Sequence, residues 1–568
     1  MTRLLILLLA VTSALSRAAG AQAGPVAADT IPRVLDRLFA PWSGTDGPGC
    51  AVGVSWRGHP VYTRVYGMAN LETGTPIRPS SRFLVASVSK QFTAMAILLL
   101  ERDGRLSIDD DIRKYLPEVP NYGTPVTIRH LLAHTSGLRD PLDLLYLARG
   151  LYLPPQREEF GPVTEADFLD ILSRQKAIGW APGAEYRYNN GGYIMLGLIV
   201  SRVAGMPLRV FAEERIFRPL GMVSTSVGDD IAVLVPERAT GYVSAPGGWQ
   251  LAPRADFPPG ASTVFATVGD LLRWQANFDR PVVGDRAMFD AMETVSVLSS
   301  GDSTDYGFGT QIGRYRGARL IYHGGAGAGY RAHIGRFPDH GLAVAIACNG
   351  PAGSTSLFLR VADAIIGDSL APIAAAAAPA ATQDAITLPA ATLQSRVGAY
   401  LQPATQPATR TPAQLVQLRV RDGRLVFDND PDPLSAMSAD RFVGQFDEIV
   451  FGPGDHPGFE LRRLDGVGRP VPYIWMPPPV VSPAALAAYA GFYCSEELDT
   501  CVRVSSQDTV LAFHHHAHLT PAKPVFADGF TWFWYVVRFH RAGGRITGFE
   551  VSENDFRHVQ FVRSPLRR

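Results

Sequence analysis

The chain has 568 residues, with 53 Lys and Arg against 53 Asp and Glu, so its formal net charge is zero. This balance argues against a nucleic-acid-binding protein or a polybasic membrane-surface protein, since both need an excess of positive charge. Hydrophobic residues make up 46% of the chain and charged residues 19%, which excludes a wholly disordered protein. The four cysteines are too few for a disulfide-dense scaffold.

The N-terminus has the three parts of a secretory signal peptide. A short basic start is followed by an apolar run at 4–11, which is too short to span a bilayer, and by a small-residue cleavage site at 21–23. We predict cleavage after Ala23 and a secreted or periplasmic protein, an uncleaved anchor being the alternative. No later stretch reaches the ~18 apolar residues of a membrane helix, so no membrane span is expected.

Residues 24–370 alternate strand-like and helix-like patterns. Strands are predicted near both ends of this region, at 49–56, 61–65, 332–337 and 342–347. A buried helix, apolar nearly all round, is predicted at 88–101. Strands at both ends with helices between them predict an α+β domain whose antiparallel sheet unites the two termini.

The remaining chain changes character after an Ala- and Pro-rich stretch at 371–389, which is typical of an interdomain linker. Short alternating strands with turn signals then dominate. Gly398-Ala399-Tyr400 is echoed by Gly491-Phe492-Tyr493. This weak repeat predicts two small antiparallel β-barrels or sandwiches, at 390–479 and 480–568.

The strongest chemical signal is the tetrapeptide Ser87-Val88-Ser89-Lys90 at the start of the predicted helix. A serine hydroxyl needs a base to become a nucleophile, and a lysine three residues later lies on the same helix face. Burial can lower the pKa of such a lysine enough for it to accept the proton. The free N–H of Ser87 could form half of an oxyanion hole.

Two further segments are weak signals alone. Tyr188-Asn189-Asn190 could direct a phenol and an amide toward one point, the phenol relaying protons and the amide binding a carbonyl. His323-Gly324-Gly325 follows a strand, and its glycines would let a substrate backbone lie against the strand edge. The next N–H, that of Ala326, could complete the oxyanion hole.

The order and spacing of these three motifs resemble the serine β-lactamase and penicillin-binding-protein superfamily. The resemblance is to the branch of class C β-lactamases, D-alanyl-D-alanine carboxypeptidases, D-aminopeptidases and related esterases. It covers about residues 30–368 and includes the phrase His134-Thr135-Ser136-Gly137-Leu138. It implies a β-lactamase/transpeptidase-like sheet flanked by helices. The C-terminal repeats more loosely resemble the lipocalin-like barrels appended to D-aminopeptidases.

The resemblance also implies roles for the motif residues. Ser87 would be the acylated nucleophile, Lys90 its proton acceptor, and Tyr188 a second acid/base. Asn190 would hold the substrate amide, and His323 would tune the tyrosine or bind a substrate carboxylate. The oxyanion hole would be shared between Ser87 and Ala326, beside Gly324 and Gly325. Such covalent catalysis needs no metal and no cofactor.

Departures from the family pattern narrow the expectation. Class C β-lactamases carry Lys where this chain has His323, so a permanent charge for a substrate carboxylate is lost. Gly324 stands where carboxylate-recognising members often have Thr, which again disfavours efficient β-lactamase activity. Residues 53–57 lack the last glycine of a Gly-x-Ser-x-Gly elbow, so an α/β-hydrolase is disfavoured.

The histidines outside the motifs favour structural roles. His130 and His134 are four residues apart but lack the following Glu of a metalloprotease motif, so structural hydrogen bonds are expected. His514, His516 and His518 would share one face of a strand. A zinc or copper site is the alternative to a solvated barrel strand there.

The cysteines form two candidate pairs. Cys494 and Cys501 flank a predicted hairpin tip, and in an exported protein they are expected to form a disulfide. Cys50 and Cys348 lie on the first and last strands of the catalytic domain, which are neighbours in the resembled fold. There we expect two buried thiols rather than a cross-strand disulfide, because strand geometry often misplaces the sulfurs.

Together these features predict an exported serine hydrolase that cleaves amide or ester bonds in D-amino-acid peptides, as a D-aminopeptidase or D,D-carboxypeptidase. The alternatives are a promiscuous esterase of the same fold and a non-hydrolytic module that binds penicillin or cell wall. Small peptides, amides or esters, and a β-lactam as a further candidate, are the expected ligands. The barrels would shape the active-site mouth, hold the protein on cell wall, or only stabilise or dimerise it.

Overall fold

The structure is a computed structural model that describes the following residues: 31–150, 162–230, 232–253, 257–371, 386–402, 415–427, 434–444, 447–463, 470–477, 479, 482–507, 510–516, 518–533, 535–553 and 556–565. The predicted signal peptide and most of the predicted linker, 372–385, lie outside the described residues.

Twelve α-helices occur in the described part of the chain: α1 Ile31–Leu38, α2 Lys90–Arg102, α3 Ile128–Leu132, α4 Pro141–Arg149, α5 Glu165–Ser173, α6 Asn190–Ala204, α7 Leu208–Ala212, α8 Val268–Asp279, α9 Arg286–Met292, α10 Ser354–Ile366, α11 Ala390–Gln394 and α12 Pro483–Ala487. A π-helical turn, Glu213–Phe217, extends α7. Short 3-10 turns lie at Ala40–Trp42, Ala86–Ser89, Ile112–Lys114, Pro338–His340 and Gly367–Ser369.

The strands of the first region are β1 Cys50–Trp56, β2 His59–Tyr66, β3 Met68–Asn70, β4 Thr75–Pro76, β5 Phe83–Leu84, β6 Ser226–Val227, β7 Tyr242–Ala245, β8 Gly248–Leu251, β9 Val264–Ala266, β10 Gln311–Tyr315, β11 Ala318–Gly327, β12 Tyr330–Phe337 and β13 Leu342–Cys348.

The strands of the C-terminal region are β14 Gly398–Leu401, β15 Leu415–Arg421, β16 Arg424–Phe427, β17 Ser435–Ala436, β18 Arg441–Val443, β19 Asp447–Phe451, β20 Phe459–Arg463, β21 Val471–Met476, β22 Gly491–Ser495, β23 Thr500–Gln507, β24 Val510–His515, β25 His518–Phe526, β26 Gly529–Trp532, β27 Tyr535–Ala542, β28 Arg545–Ser552 and β29 Val559–Ser564.

A six-stranded antiparallel sheet organises the first region, in the order β10-β11-β12-β13-β1-β2. The first strands therefore pair with the last, as expected, and Val52 lies opposite Ile346. β1 and β13 are buried along almost their whole length, because helices cover both faces of the sheet. Helices α1 and α10 pack on one face, and α8 packs on the other.

Helix α2 lies in the middle of the larger apolar core and is buried from Lys90 to Leu100. This explains why its sequence is apolar nearly all round, since a helix with no solvent face has no polar stripe. The predicted start at 88 differs from the structure, in which Ala86–Ser89 form a tighter 3-10 turn ahead of the α-helix.

Two eight-stranded antiparallel assemblies follow, consistent with the predicted lipocalin-like domains. The first has the strand order β16-β15-β14-β21-β20-β19-β18-β17 and is nearly closed, since the N–H of Leu434, just before β17, donates to the carbonyl of Leu425 on β16 at 2.8 Å. The second, β22 to β29, is a closed barrel in which β22 pairs with β29. Closure removes the exposed sheet edges on which other chains could aggregate.

The weak sequence repeat marks equivalent positions in the two assemblies. Tyr400 and Tyr493 lie on their first strands and are fully buried. Each phenol donates to the carbonyl four residues earlier, from Tyr400 to Arg396 at 2.9 Å and from Tyr493 to Tyr489 at 2.6 Å. The Gly-x-Tyr signature thus encodes a buried tyrosine that ties each first strand to the chain just before it.

The cysteines form two disulfides, Cys50–Cys348 and Cys494–Cys501. Each pair lies directly opposite in an antiparallel register. The prediction of two buried thiols at Cys50 and Cys348 was wrong. The sheet register places these two residues face to face at the end of the strand pair, which brings the sulfurs within bonding distance.

No single helix in the described ranges is long and apolar enough to cross a membrane. Two consecutive helical segments, Asn190–Ala204 and Leu208–Phe217, are together long and apolar enough for a membrane span by length and composition only, and they are bent by 80° relative to each other.

We expect the two disulfides to differ in what they contribute to stability. The Cys50–Cys348 bridge joins residues 298 apart, whereas Cys494–Cys501 joins residues 7 apart. Because a cross-link that closes a longer loop removes more entropy from the unfolded chain, Cys50→Ser with Cys348→Ser should lose ~2–4 kcal/mol of stability. Cys494→Ser with Cys501→Ser should lose less, as measured by thermal unfolding. Alkylation of all four cysteines in unreduced, denatured protein would contradict both bridges.

Candidate active site

The tetrapeptide Ser87 to Lys90 forms a tight turn at the entrance of α2. Ala86, just before the serine, has φ +46°, a conformation that residues other than glycine seldom adopt. Ser87 itself is half-buried, while the residues on either side of it are buried. The turn thus presents the Ser87 hydroxyl at an accessible point, held by strained backbone of the kind found at functional sites.

Lys90 points from the first turn of α2 toward three oxygens. Its Nζ lies 3.3 Å from Ser87 Oγ, 2.8 Å from Asn190 Oδ1 and 3.1 Å from the carbonyl of Ala261. When neutral, the amine has two N–H donors for the amide and carbonyl oxygens, which can only accept. Its lone pair is then left for the hydroxyl of Ser87, so that the serine becomes the donor.

Burial of Lys90 makes this neutral form accessible. The side chain has no solvent exposure, and burial lowers its pKa to about 7 against a smaller opposing effect of Asp140. The other titratable groups that face it are His134, His323, Tyr188 and Tyr193. Both imidazoles are themselves held neutral, because burial lowers the pKa of His323 to about 3 and that of His134 well below its usual value.

The segment 134–140 supports the loop 179–191, which carries Tyr188 and Asn190. We call these two segments the support segment and the tyrosine loop. Hydrogen bonds run between them along their length: Gly179 N–H to Gly137 O, Gly183 N–H to Thr135 O, Arg187 N–H to His134 O, Asn189 N–H to His134 Nδ1 and Asn189 Nδ2 to Leu138 O. The aromatic ring of Tyr188 lies 4.4 Å from that of His134 and 4.6 Å from Lys90 Nζ.

Asp140 fastens the end of this loop. It is fully buried and caps α4 by accepting from Leu142 N–H. Its carboxylate also accepts the N–H of Asn190 at 2.6 Å and that of Gly191 at 3.0 Å, at the start of α6. A carboxylate at two helix N-termini satisfies backbone donors that would otherwise be unpaired, and it fixes Asn190 opposite Lys90.

His323 lies on β11 at the same site, and both of its ring nitrogens are occupied. Nδ1 lies 2.6 Å from the Gly324 carbonyl, and Nε2 lies 2.9 Å from the hydroxyl of the buried Tyr306. Since a carbonyl only accepts, Nδ1 carries the proton and Tyr306 donates to Nε2. The ring centroid is 6.2 Å from that of Tyr188. His323 was expected to tune Tyr188 or to bind a substrate carboxylate. In this arrangement it has no free ring nitrogen with which to do either.

Strand β11 runs so close to the turn at 85–90 that only glycine fits there; we call this turn the nucleophile turn, because Ser87 is the candidate nucleophile. A Cβ on Gly325 would lie 2.1 Å from the Val85 carbonyl and 3.2 Å from the N of Ser87. Gly324 faces the opposite side of the sheet, toward His333. Ala326 follows at the exposed end of the strand. The glycine thus brings the strand edge beside the Ser87 N–H, as an oxyanion hole shared with Ala326 requires.

Several residues of the site had not been identified from the sequence. Tyr306 and Asp140 carry no motif of their own, and Ala261 contributes only its carbonyl to Lys90. The only sequence signal for Asp140 is its position two residues after the motif His134–Leu138. No local pattern indicates that Ala261 returns to Lys90 from 171 residues away, or that Tyr306 binds His323.

Three further histidines, His130, His134 and His514, make structural contacts. His130 Nδ1 accepts the N–H of Thr127 in a capping box, and His134 Nδ1 accepts that of Asn189, as expected. His514 uses both ring nitrogens, with Arg503 at 2.9 Å and Ser505 at 2.7 Å. Within the described ranges, no three His, Cys, Asp or Glu residues are arranged to hold a metal ion.

The pKa of Lys90 predicts the acidic limb of the pH profile. Below pH ~7 the amine is mostly protonated and cannot take the serine proton, and above it the neutral form predominates. We expect the rate of Ser87 acylation by an activated ester to rise about tenfold per pH unit up to about pH 7 and then level off. A rate independent of pH between 5 and 8 would exclude Lys90 as the proton acceptor.

The close approach of β11 predicts that Gly325→Ala abolishes acylation. The added methyl would meet backbone atoms of the nucleophile turn and force the strand away from Ser87. Gly327→Ala is the matched control, since its Cβ would lie 3.8 Å from that of Ala86, an ordinary contact. We expect a loss of at least 100-fold for Gly325→Ala and less than threefold for the control, measured as acylation rate on proteins with equal circular dichroism. Equal activity in the two variants would contradict the placement of β11.

Two curated relatives each match about half of the chain. Penicillin-binding protein 4* of Bacillus subtilis is 32% identical over 299 residues, which are 49% of this chain and 63% of the relative. The D-aminopeptidase of Brucella anthropi is 28% identical over 326 residues, which are 56% of this chain and 60% of the relative. The matches therefore span less than two thirds of either relative's length.

A solved structure shares the fold over most of the chain. The octameric penicillin-binding protein homologue from Pyrococcus abyssi aligns with a TM-score of 0.55 at 19% identity and covers 87% of this chain and 99% of that chain. The Beta-lactamase family model matches residues 35–365, which is more than half of the chain and includes Ser87, Lys90, Tyr188 and His323. The chain belongs to the β-lactamase family.

Proposed function

We propose that the protein is an exported serine hydrolase that cleaves amide or ester bonds through an acyl-Ser87 intermediate. The observation that carries this proposal is the position of the buried Lys90 amine, 3.3 Å from Ser87 Oγ. Its pKa of about 7 provides a substantial neutral fraction near neutral pH. Export is supported by the signal-peptide pattern at 1–23.

Acylation follows from this geometry. Ser87 Oγ attacks the substrate carbonyl carbon while its proton passes to the lone pair of Lys90 Nζ. The carbonyl oxygen becomes an oxyanion held by the N–H groups of Ser87 and Ala326. When the carbon–nitrogen or carbon–oxygen bond breaks, the leaving group takes a proton from Tyr188, which is replenished from Lys90. The acyl group remains on Ser87.

Deacylation repeats these transfers with water. The neutral amine of Lys90, directly or through the phenol of Tyr188, accepts a proton from a water molecule that attacks the acyl carbon. The same proton is then returned to Ser87 Oγ as the bond between the acyl carbon and this oxygen breaks. Asn190 touches Lys90 through its amide oxygen, which leaves its amide N–H₂ as a donor for a substrate carbonyl. The products are a free acid and an amine or alcohol.

The substrate class that we propose is D-amino-acid peptides and amides, with hydrolysis of the D-aminopeptidase or D,D-carboxypeptidase type. Support comes from the two relatives, one a D-aminopeptidase and one a penicillin-binding protein. His323 is neutral and already bonded to Tyr306, so this position provides no positive charge for a substrate carboxylate. That favours the aminopeptidase type over the carboxypeptidase type and disfavours efficient hydrolysis of β-lactams.

Intact mass and turnover together test this proposal. We expect Ser87-dependent hydrolysis of D-alanine p-nitroanilide and of a short-chain p-nitrophenyl ester, with the L-alanine anilide at least tenfold slower. Ser87→Ala should abolish turnover, and Ser89→Ala, two residues away with its hydroxyl bonded to Val264 N–H, is the control for local structure. A penicillin adduct that persists on Ser87 without turnover of either substrate would instead support a non-hydrolytic receptor.

A further inference from the structure

The closed barrel β22–β29 is packed against the helical part of the family domain. Its apolar interior forms one continuous core with that of the helices around α2 and α6. Two barrel segments reach the catalytic side: the hairpin tip 495–499, next to the Cys494–Cys501 bridge, and the turn 556–558 between β28 and β29. Each contributes one buried charged side chain to this contact.

The hairpin tip binds the support segment through Glu497. Its carboxylate lies 2.8 Å from Arg139 Nη1, and both side chains are at most 7% exposed. Arg139 makes two more hydrogen bonds to the barrel, donating to the carbonyls of Arg557 at 2.9 Å and His558 at 3.0 Å. Arg139 lies between Leu138 and Asp140, the residues that hold Asn189 and Asn190.

The turn 556–558 binds the tyrosine loop through Arg557. This guanidinium is fully buried, and it lies 3.4 and 3.3 Å from the two carboxylate oxygens of Glu185 and 5.4 Å from the ring centroid of Trp180. Glu185 also accepts from Arg187, one residue before Tyr188. A carboxylate held from both sides fixes the backbone that leads into the catalytic tyrosine.

From these contacts we propose that Glu497 and Arg557 are positioning residues for the reaction of the family domain. Together they form a clamp: Glu497 holds the support segment, and Arg557 holds the tyrosine loop, so that Tyr188 and Asn190 are fixed in front of Lys90. The second barrel is thus part of the catalytic apparatus, although its contacts lie outside the reacting atoms. This inference rests on the proposed hydrolase function for its kinetic readout only.

Charge and burial explain why the clamp has this form. Removing one member of a buried ion pair leaves the other charge uncompensated in the protein interior. Glu185 without Arg557 is drawn to Arg187 alone, and Arg139 without Glu497 keeps only neutral acceptors. In both cases the displaced side chain belongs to a segment that determines where Asn190 meets Lys90.

Two variants of the full-length protein test the clamp, each with a matched control. Arg557→Met removes one charge with little change in length, and its control is Arg541→Met, which breaks an ion pair with Asp528 elsewhere on the same barrel. Glu497→Gln is the milder change, and its control is Glu496→Gln, whose partner Lys176 is on the surface. Glu497→Gln keeps the test open should Arg557→Met fail to fold.

The first readout is hydrogen exchange of the amides in 179–191, which does not depend on any activity. We expect exchange to rise at least tenfold in Arg557→Met and Glu497→Gln and to stay unchanged in both controls. The second readout is the pH profile of kcat/KM per titrated active site. With Asn190 displaced and water admitted, the acidic limb set by Lys90 should move to higher pH, and kcat/KM should fall tenfold or more.

The outcomes separate the clamp from the proposed function. Faster exchange in Arg557→Met and Glu497→Gln, together with a wild-type protein that hydrolyses none of the substrates, would support the clamp and refute the hydrolase. Normal turnover, an unmoved acidic limb and unchanged exchange in folded Arg557→Met or Glu497→Gln would overturn the clamp and leave the hydrolase intact. A lower melting temperature with both readouts unchanged would also overturn it, since the barrel would then only stabilise the fold.

Discussion

The burial of one amine, that of Lys90, is the constraint on which the rest of the site depends. Charging it costs about 5 kcal/mol more here than in water, since each tenfold change in its proton affinity is worth ~1.4 kcal/mol. That cost is tolerable because the neutral amine still has two acceptors, Asn190 and Ala261. An apolar helix carries the lysine into the core, and the surrounding loops must then bring polar partners to it.

Two structural elements complete the site around this amine. Strand β11 approaches the nucleophile turn at Gly325, where a side chain would collide with backbone. The tyrosine loop approaches from the helical side and is fixed by the support segment through backbone hydrogen bonds and by Asp140. Strand β11 belongs to the large six-stranded sheet, which holds it rigidly. The support segment and the tyrosine loop are in contact with the second barrel. A rigid scaffold with loops fixed at several points is what accurate placement of reacting groups requires.

Much of this site was predictable from local sequence. Ser87 and Lys90 lie one helical turn apart, so their proximity is guaranteed wherever the helix forms. The Gly-x-Tyr repeats correctly indicated two β-rich assemblies, because the tyrosine of each repeat forms the same hydrogen bond to the chain just before its first strand. The pairing of Cys50 with Cys348 was predicted wrongly, since strand neighbourhood alone does not give register, and register decides whether two sulfurs meet.

The sequence by itself determined the candidate nucleophile Ser87, the lysine beside it, the family and the division into a mixed domain with β-rich repeats. These are encoded by short-range spacing and periodicity, which depend on the geometry of a single helix or strand. Only the tertiary structure decided that Tyr306 forms a hydrogen bond with His323 Nε2 and that Asp140 accepts the N–H of Asn190. The same holds for the ion pair between Arg557 and Glu185, which are 372 residues apart. Such contacts depend on how separate elements pack together in the assembled core. For this reason no local pattern of residues specifies these contacts.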